Sequence, residues 1–337
     1  MEKVNWGIIG CGDVTEVKSG PPLQQIKHSN LVAVMRRTAS KAEDYAKRHN
    51  VSRWYTSARK LIHDPDINAV YVATPPESHA EYTIQALKAG KPVYVEKPMA
   101  LNFTECQKMI DAAERYQTPL FVAYYRRALP GFLKVKALVD QGAIGNVRFV
   151  SIELFQKPSK ADMEFDTDWR VIPELSGGGY FLDLAAHQLD FLDYVFGPVI
   201  KVKGIAGNQA GLYEAEDIVS GSFLFDDGII GTGTWCFTVN EQSEKDEIRI
   251  IGDKGQISFS TFQFLPVKLM NSDGEQTFDF PKPKHVAYNL IQTVVDHLIG
   301  RGKCPSTGIS GARTSWVLDN FINEYYKSKE VNTKMSR

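Results

Sequence analysis

Three things are scarce in this chain of 337 residues, and each scarcity removes a class of function. Net charge is nearly absent: 39 Lys and Arg against 40 Asp and Glu leave −1. No global field therefore draws the chain to nucleic acid or to an anionic membrane. Long apolar runs are missing too, none approaching the roughly 20 residues needed to span a bilayer. Cysteine is sparse, and Cys11, Cys106, Cys236 and Cys304 show neither CxxC spacing nor neighbouring histidine clusters. That pattern argues against a zinc site or any other metal, and against a disulfide framework. It fits reduced thiols in a cytoplasm. The start, Met1 to Trp6, runs directly into an apolar strand and lacks the apolar region of a signal peptide.

What is present is an ordinary composition, 43% hydrophobic and 23% charged, in a length comfortable for two domains. Val4 to Ile9 reads as a buried strand followed at once by Gly10-Cys11-Gly12. In a dinucleotide-binding βαβ unit the first glycine makes the tight turn and the second lets backbone meet a pyrophosphate. The helix opened by Asp13 and Val14 would then supply oriented N–H groups. Ser19-Gly20-Pro21-Pro22 should end that helix, with a second piece starting at Leu23. Leu31 to Met35 reads as the second parallel strand. An acidic residue closing it would accept from an adenosine ribose, whereas arginine pairs with a 2′-phosphate. Arg36-Arg37-Thr38 stands there, so the sequence predicts NADP(H) over NAD(H).

Further strands are expected at Trp54-Tyr55, Ala69–Ala73, Pro92–Val95 and Leu120–Tyr124. Helices are expected over 41–49, Ser57–His63 and Glu77–Ala89, the last closed by Gly90. Thr74-Pro75 and Glu96-Lys97-Pro98 fall at carboxyl ends of core strands, where ligands bind in such sheets. A lysine at that place reads as a site group.

Downstream, Gly177-Gly178-Gly179 leads into Tyr180–Asp190. At about 100° per residue, Asp183, His187, Asp190 and Tyr194 share one side. Leu184, Phe191, Leu192 and Val195 lie roughly opposite. The apolar stripe would seat the helix on a core and leave two carboxylates and an imidazole directed elsewhere. Asp183, one turn before His187, could fix the imidazole's tautomer. The glycines would allow a ligand to come close to the backbone.

These stretches together resemble the glucose–fructose oxidoreductase/inositol dehydrogenase (Gfo/Idh/MocA) family. The resemblance rests on the GxG turn, Ala73-Thr74-Pro75-Pro76 with His79, Gly90-Lys91-Pro92-Val93 and Glu96-Lys97-Pro98. It is extended by Asp183-x3-His187-x2-Asp190, by Trp169-Arg170 and by Tyr125-Arg126-Arg127. Thr15 departs from the usual small third residue of the glycine turn, and Ala185 stands where the family often has glycine.

The resemblance implies a Rossmann domain over 1–123 with a parallel sheet. Residues 124–337 would form an α+β domain for substrate binding and oligomer contacts. For that domain the pattern itself shows a large, mainly antiparallel sheet. Its segments are Arg148–Phe155, Val199–Ala206, Ile218–Phe225, Ile229–Phe237, Glu247–Ile251, Gln256–Phe259 and Val267–Met270. A helix over Pro130–Asp140 precedes the sheet, and helices near His285–Ile299 and Gly311–Lys327 follow it.

By resemblance, Lys97, Asp183 and His187 are catalytic. Gly10, Gly12, Asp13, Val14, Arg36, Arg37, Thr38, Thr74, Pro75, His79, Glu96 and Lys97 would hold the dinucleotide. Tyr125, Trp169, Arg170 and Tyr180 would line the substrate. The implied reaction is hydride transfer between nicotinamide and a sugar, sugar derivative or cyclitol, in a cytoplasmic homo-oligomer, a dimer or tetramer. Two alternatives stand beside it. One is reduction of a non-sugar carbonyl or a diol, as in the dihydrodiol dehydrogenase branch. The other is a regulator that senses NAD(P) without turnover.

Overall fold

The computed structural model describes residues 1–165 and 168–335. The chain forms two compact units. The first joins Met1–Leu129 to Lys282–Ala312, and the second joins 130–281 to 313–337.

In the first unit, six strands make one sheet. They are β1 (Val4–Ile9), β2 (Ser29–Met35), β3 (Arg53–Tyr55), β4 (Ala69–Val72), β5 (Val93–Val95) and β6 (Leu120–Val122). Their order is β3-β2-β1-β4-β5-β6. Every pairing is parallel. The order reverses between β1 and β4, so a crevice opens at their carboxyl ends. β4, β5 and β6 are buried throughout, as strands covered on both faces must be. Trp6, Tyr71, Tyr94 and Phe121 are the large side chains of this core. Trp6 is accommodated because its indole N–H donates to Ser29 Oγ at 3.0 Å, and that hydroxyl donates onward to the Leu23 carbonyl.

A single cut at 123/124 does not describe the folded chain, which returns to the first unit over 282–312. The reason is packing. The helix Tyr288–Leu298 puts Leu290, Ile291, Val294 and Val295 into the same apolar cluster as Trp6 and Tyr71. Beyond it, Ser306 Oγ donates to the Val122 carbonyl at 2.7 Å, and Thr307 forms a bridge with Phe121. A helix over Phe103–Arg115 was not expected either. Its signal is Asn102, whose side chain caps the Glu105 N–H at 3.0 Å.

The second unit holds an eight-stranded sheet. Its strands are β7 (Val147–Phe155), β8 (Val199–Gly207), β9 (Ile218–Phe225) and β10 (Ile230–Cys236), then β11 (Lys245–Gly252), β12 (Gly255–Phe259), β13 (Val267–Asn271) and β14 (Gly274–Phe278). The order is β14-β13-β12-β11-β7-β10-β9-β8. β7 and β10 run parallel, and the other neighbours are antiparallel. Against one face lie the helices Pro130–Asp140, Tyr180–Phe196 and the later part of Gly308–Met335. Phe132, Phe191 and Phe259 meet edge-on there, as do Phe181, Trp235 and Phe321.

The last helix sits down on the sheet where two glycines face each other across β8 and β9, Gly204 and Gly221. A Cβ at Gly204 would stand 2.4 Å from the Phe321 carbonyl oxygen, so backbone would have to move. Gly204→Ala should therefore cost about 1–3 kcal/mol of stability, the range for overpacked cores. Denaturant unfolding at a constant m-value measures this, and an unchanged midpoint would refute it.

Candidate active site

Each unit carries part of the expected site, and each part is built differently. In the first unit, Gly10 has φ +95°, and a Cβ there would meet Thr74 Cγ2 at 2.7 Å and the Thr74 nitrogen at 2.8 Å. Glycine is thus required where the turn crosses the end of β4. Gly12 is different: a Cβ there would have only the Gly10 carbonyl nearby, at 4.0 Å. Backbone at Gly12 therefore faces open space, which is the cradle a pyrophosphate needs.

The helix behind it is short, Asp13–Val17. Thr15, fully buried, donates from Oγ1 to the Gly12 carbonyl at 2.8 Å, and Tyr45 donates to the Thr15 carbonyl at 2.8 Å. The hydroxyl thus fits at a position where a smaller residue is usual. Burial pushes the Cys11 thiol up to about 11, so it stays protonated at neutral pH.

Arg36 follows β2 half-buried, with Nη1 donating to the Cys11 carbonyl at 3.3 Å. Arg37 and Thr38 are exposed beside it. Lys97 is half-buried after β5, and its peptide bond to Pro98 is cis. Glu96 next to it is 9% exposed and accepts from the Tyr71 hydroxyl, which also lies 2.8 Å from Ser19 Oγ. Burial raises the Glu96 carboxyl.

His79, expected to touch cofactor, is completely enclosed. Its Nε2 lies 2.6 Å from the Thr74 carbonyl and its Nδ1 3.0 Å from the Pro98 carbonyl. The ring thus ties the loop after β4 to the loop after β5. Two acceptors would favour an imidazolium, but burial outweighs them and holds the pKa near 4.

Tyr125 lies in a 3₁₀ turn, half-buried against the apolar core, with the Arg126 guanidinium 5.0 Å above its ring. Arg126 and Arg127 are both 3% exposed, and Arg127 donates to the Pro305 carbonyl at 2.9 Å.

In the second unit, the helix Tyr180–Phe196 is buried on nearly every side, not on one stripe. Leu184 and Val195 are half-buried, whereas Gln188 and Asp190 are fully enclosed. Asp190 accepts from Thr314 Oγ1 at 3.3 Å, and Asp193 takes a two-pronged pair of 2.7 Å bonds from Arg313. Asp190 is therefore a strut to the last helix. His187 is 3% exposed. Asp183, one turn earlier, is half-buried with Arg170 Nε at 3.5 Å.

Arg170 also contacts Asp168 at 3.2 Å and stacks over Trp169 at 4.5 Å. Asp183, Arg170 and Trp169 thus form one group. The half-buried Tyr180 donates from its hydroxyl to Asp162 at 2.9 Å. Burial and that carboxylate raise its pKa further.

The triple glycine is closely packed within the protein. Gly177 closes the short helix Pro173–Ser176 at φ +87°. A Cβ at Gly179 would stand 2.7 Å from the Glu216 carbonyl oxygen. Glu216, fully buried, accepts the Gly179 N–H at 2.8 Å and the Tyr326 hydroxyl. Burial raises its pKa. No local pattern in the sequence pointed to Glu216 or Asp162.

A parallel sheet of this strand order with a glycine turn after β1 defines a class of fold, the dinucleotide-binding Rossmann type. Comparison narrows it. Residues 4–124 match the model of an "Oxidoreductase family, NAD-binding Rossmann fold", and residues 132–258 match the GFO/IDH/MocA C-terminal domain. The chain is 41% identical to "Oxidoreductase P35" of Formosa agariphila, over 95% of this chain and 98% of that one. It is 27% identical to a trans-1,2-dihydrobenzene-1,2-diol dehydrogenase of Xenopus tropicalis, over 82% and 81% of the two chains. A levoglucosan dehydrogenase in complex with NADH and levoglucosan shares the fold, with TM-score 0.85 at 21% identity over 96% and 98%. The chain belongs to the Gfo/Idh/MocA oxidoreductase family.

The enclosed His79 generates a prediction. A base whose folded pKa is lowered binds fewer protons when folded than when unfolded between the two values. Its contribution to stability is present above about pH 6.5 and is lost as pH falls towards 4. Near pH 5, unfolding should take up close to one proton at this site. His79→Gln should flatten the stability profile across that window, as measured by urea unfolding from pH 7 to 4. Parallel profiles for both proteins would refute it.

Proposed function

We propose that this oxidoreductase moves hydride between nicotinamide, NADP(H) in preference to NAD(H), and a CH–OH carbon of a sugar, sugar derivative or cyclitol. The observation that carries the reading is the composition of the second unit's polar group. A carboxylate (Asp183), a guanidinium (Arg170) and an aromatic face (Trp169) stand together, one turn from an enclosed imidazole. Such a wall suits a polyhydroxylated ligand, with hydroxyls for the charges and a carbon face for the indole.

Gly12 and the Arg36–Thr38 stretch would hold the dinucleotide, and the crevice loops carrying Thr74-Pro75 and Lys97 would meet its other end. The bound cofactor supplies the hydride acceptor or donor. His187 takes the hydroxyl proton in oxidation, or returns it to the carbonyl oxygen in reduction, and Asp183 orients the imidazole. Lys97, at the carboxyl end of β5, is read as the second acid/base group. Preference for NADP rests on charge: β2 is followed by Arg36-Arg37-Thr38, with no carboxylate there to accept from a ribose 2′-hydroxyl.

A second reading is carried by the relatives named as dihydrodiol dehydrogenases. A cyclic diol would present the same vicinal oxygens with an apolar ring against Trp169. A panel of levoglucosan, glucose, myo-inositol and a trans-dihydrodiol, followed by NADPH absorbance, separates the two.

Two outcomes are expected. Arg36→Ala should weaken NADPH binding by roughly 1.5–3 kcal/mol, as for a lost charged hydrogen bond, and leave NADH little changed. Equal calorimetric losses for both cofactors would defeat the NADP assignment. Lys97→Met and His187→Asn should each lower kcat by about 10²-fold or more with cofactor affinity nearly intact. Wild-type turnover in either variant would remove that residue from the chemistry.

A further inference from the structure

The loop after β12 is folded around one carboxylate. Asp246, on β11 and 9% exposed, accepts the backbone N–H groups of Thr261 at 2.9 Å, Phe262 at 2.6 Å and Gln263 at 3.2 Å. Ser260 Oγ accepts the Leu265 N–H at 2.9 Å and closes the turn. Three donors converging on one ionised side chain fix the backbone of this loop, because a carboxylate offers about four acceptor positions.

The loop then meets the helix Tyr180–Phe196 at two successive residues. Gln188 Nε2 donates to Thr261 Oγ1 at 3.1 Å, while Gln188 Oε1 accepts the Trp235 indole N–H at 2.7 Å. The Phe262 ring stands edge-on to the His187 imidazole, centroids 6.0 Å apart and planes at 72°. One side chain on β11 thus binds the backbone of both residues that meet the helix at His187 and Gln188.

We propose that Asp246 is a positioning residue for His187. By anchoring residues 261–263 it holds Phe262 against the imidazole and Thr261 against Gln188. The ring's orientation and its shelter from water are thereby set from the sheet. The functional weight of this inference rests on the reading of His187 as the acid/base group; its structural content does not. An asparagine at 246 would keep one acceptor oxygen but turn N–H groups towards N–H donors, so the loop would loosen while the buried shape was kept.

The test uses the full chain with ¹³C-labelled histidine, whose seven imidazoles are followed by aromatic ¹H–¹³C correlation spectra. The signal lost in His187→Asn identifies His187. Phe262→Leu removes the neighbouring ring current without altering charge, and should displace that signal. Asp246→Asn should displace it in the same direction, Asp246→Glu less so, and Asp246→Asn combined with Phe262→Leu no further than Phe262→Leu alone. A lowered Tm in Asp246→Asn with the His187 signal at its wild-type position would show that Asp246 braces the sheet only, and would overturn the proposal. Should Asp246→Asn fail to fold, an unmoved signal in Phe262→Leu overturns it equally. Undiminished turnover in His187→Asn, by contrast, would defeat the acid/base reading while leaving the spectroscopic result in place.

Discussion

Buried carboxylates must find partners, and the helix Tyr180–Phe196 is held by three of them. Glu216 caps its first free N–H at Gly179, Asp190 meets Thr314, and Asp193 takes the fork of Arg313. Each would cost several kcal/mol if left alone in an apolar core, so each fixes a neighbour in return. The glycine at 179 follows from the first of these contacts. A Cβ at Gly179 would stand 2.7 Å from the Glu216 carbonyl oxygen, and one at Gly178 would stand 2.7 Å from Leu182 Cδ1 with the Glu216 carboxyl at 3.3 Å. The helix carrying Asp183 and His187 is therefore located by polar contacts at both ends and along its length, not by an apolar stripe alone.

The first unit reaches a similar end by other means. There the crevice lies at the carboxyl ends of parallel strands, and its loops are joined by an enclosed imidazole. Gly10 is glycine because of its φ and the closeness of Thr74, whereas Gly12 is glycine beside open space. The two residues look equivalent in a GxG turn, yet one is required by the protein's own packing and the other is suited to a ligand.

Much of this architecture was legible because it is local. Val4–Ile9, Pro130–Asp140 and Ile218–Phe225 could be delimited to the residue from contiguous apolarity, alternation and turn chemistry. The motif around Asp183 and His187 was legible through its spacing. β14 was not, because four of its five residues are exposed and it carries no core pattern. The short helices between residues 160 and 176 were missed because a single turn leaves no periodicity to read. Glu216 and Asp246 were hidden for another reason. Their partners lie 37 and 15 or more residues away, and nothing at either end of such a contact marks it in the sequence. The return of 282–312 to the first unit was invisible on the same ground, since an amphipathic helix does not declare which core it joins.

The graded burial of one motif has a further consequence. Along Asp183-x3-His187-x2-Asp190, exposure falls from half-buried, to 3%, to none. A group that presents surface can meet a ligand, and one that presents none can act only through its neighbours. Asp183, already beside the Arg170 guanidinium, is the member of the three that can exchange contacts with an incoming hydroxyl. His187 presents only a small edge, 3% of its surface. Asp190 presents no surface, and accepts from Thr314 Oγ1 on the last helix. Three polar residues at helical spacing thus differ in how far each is enclosed, and burial, not spacing, separates them.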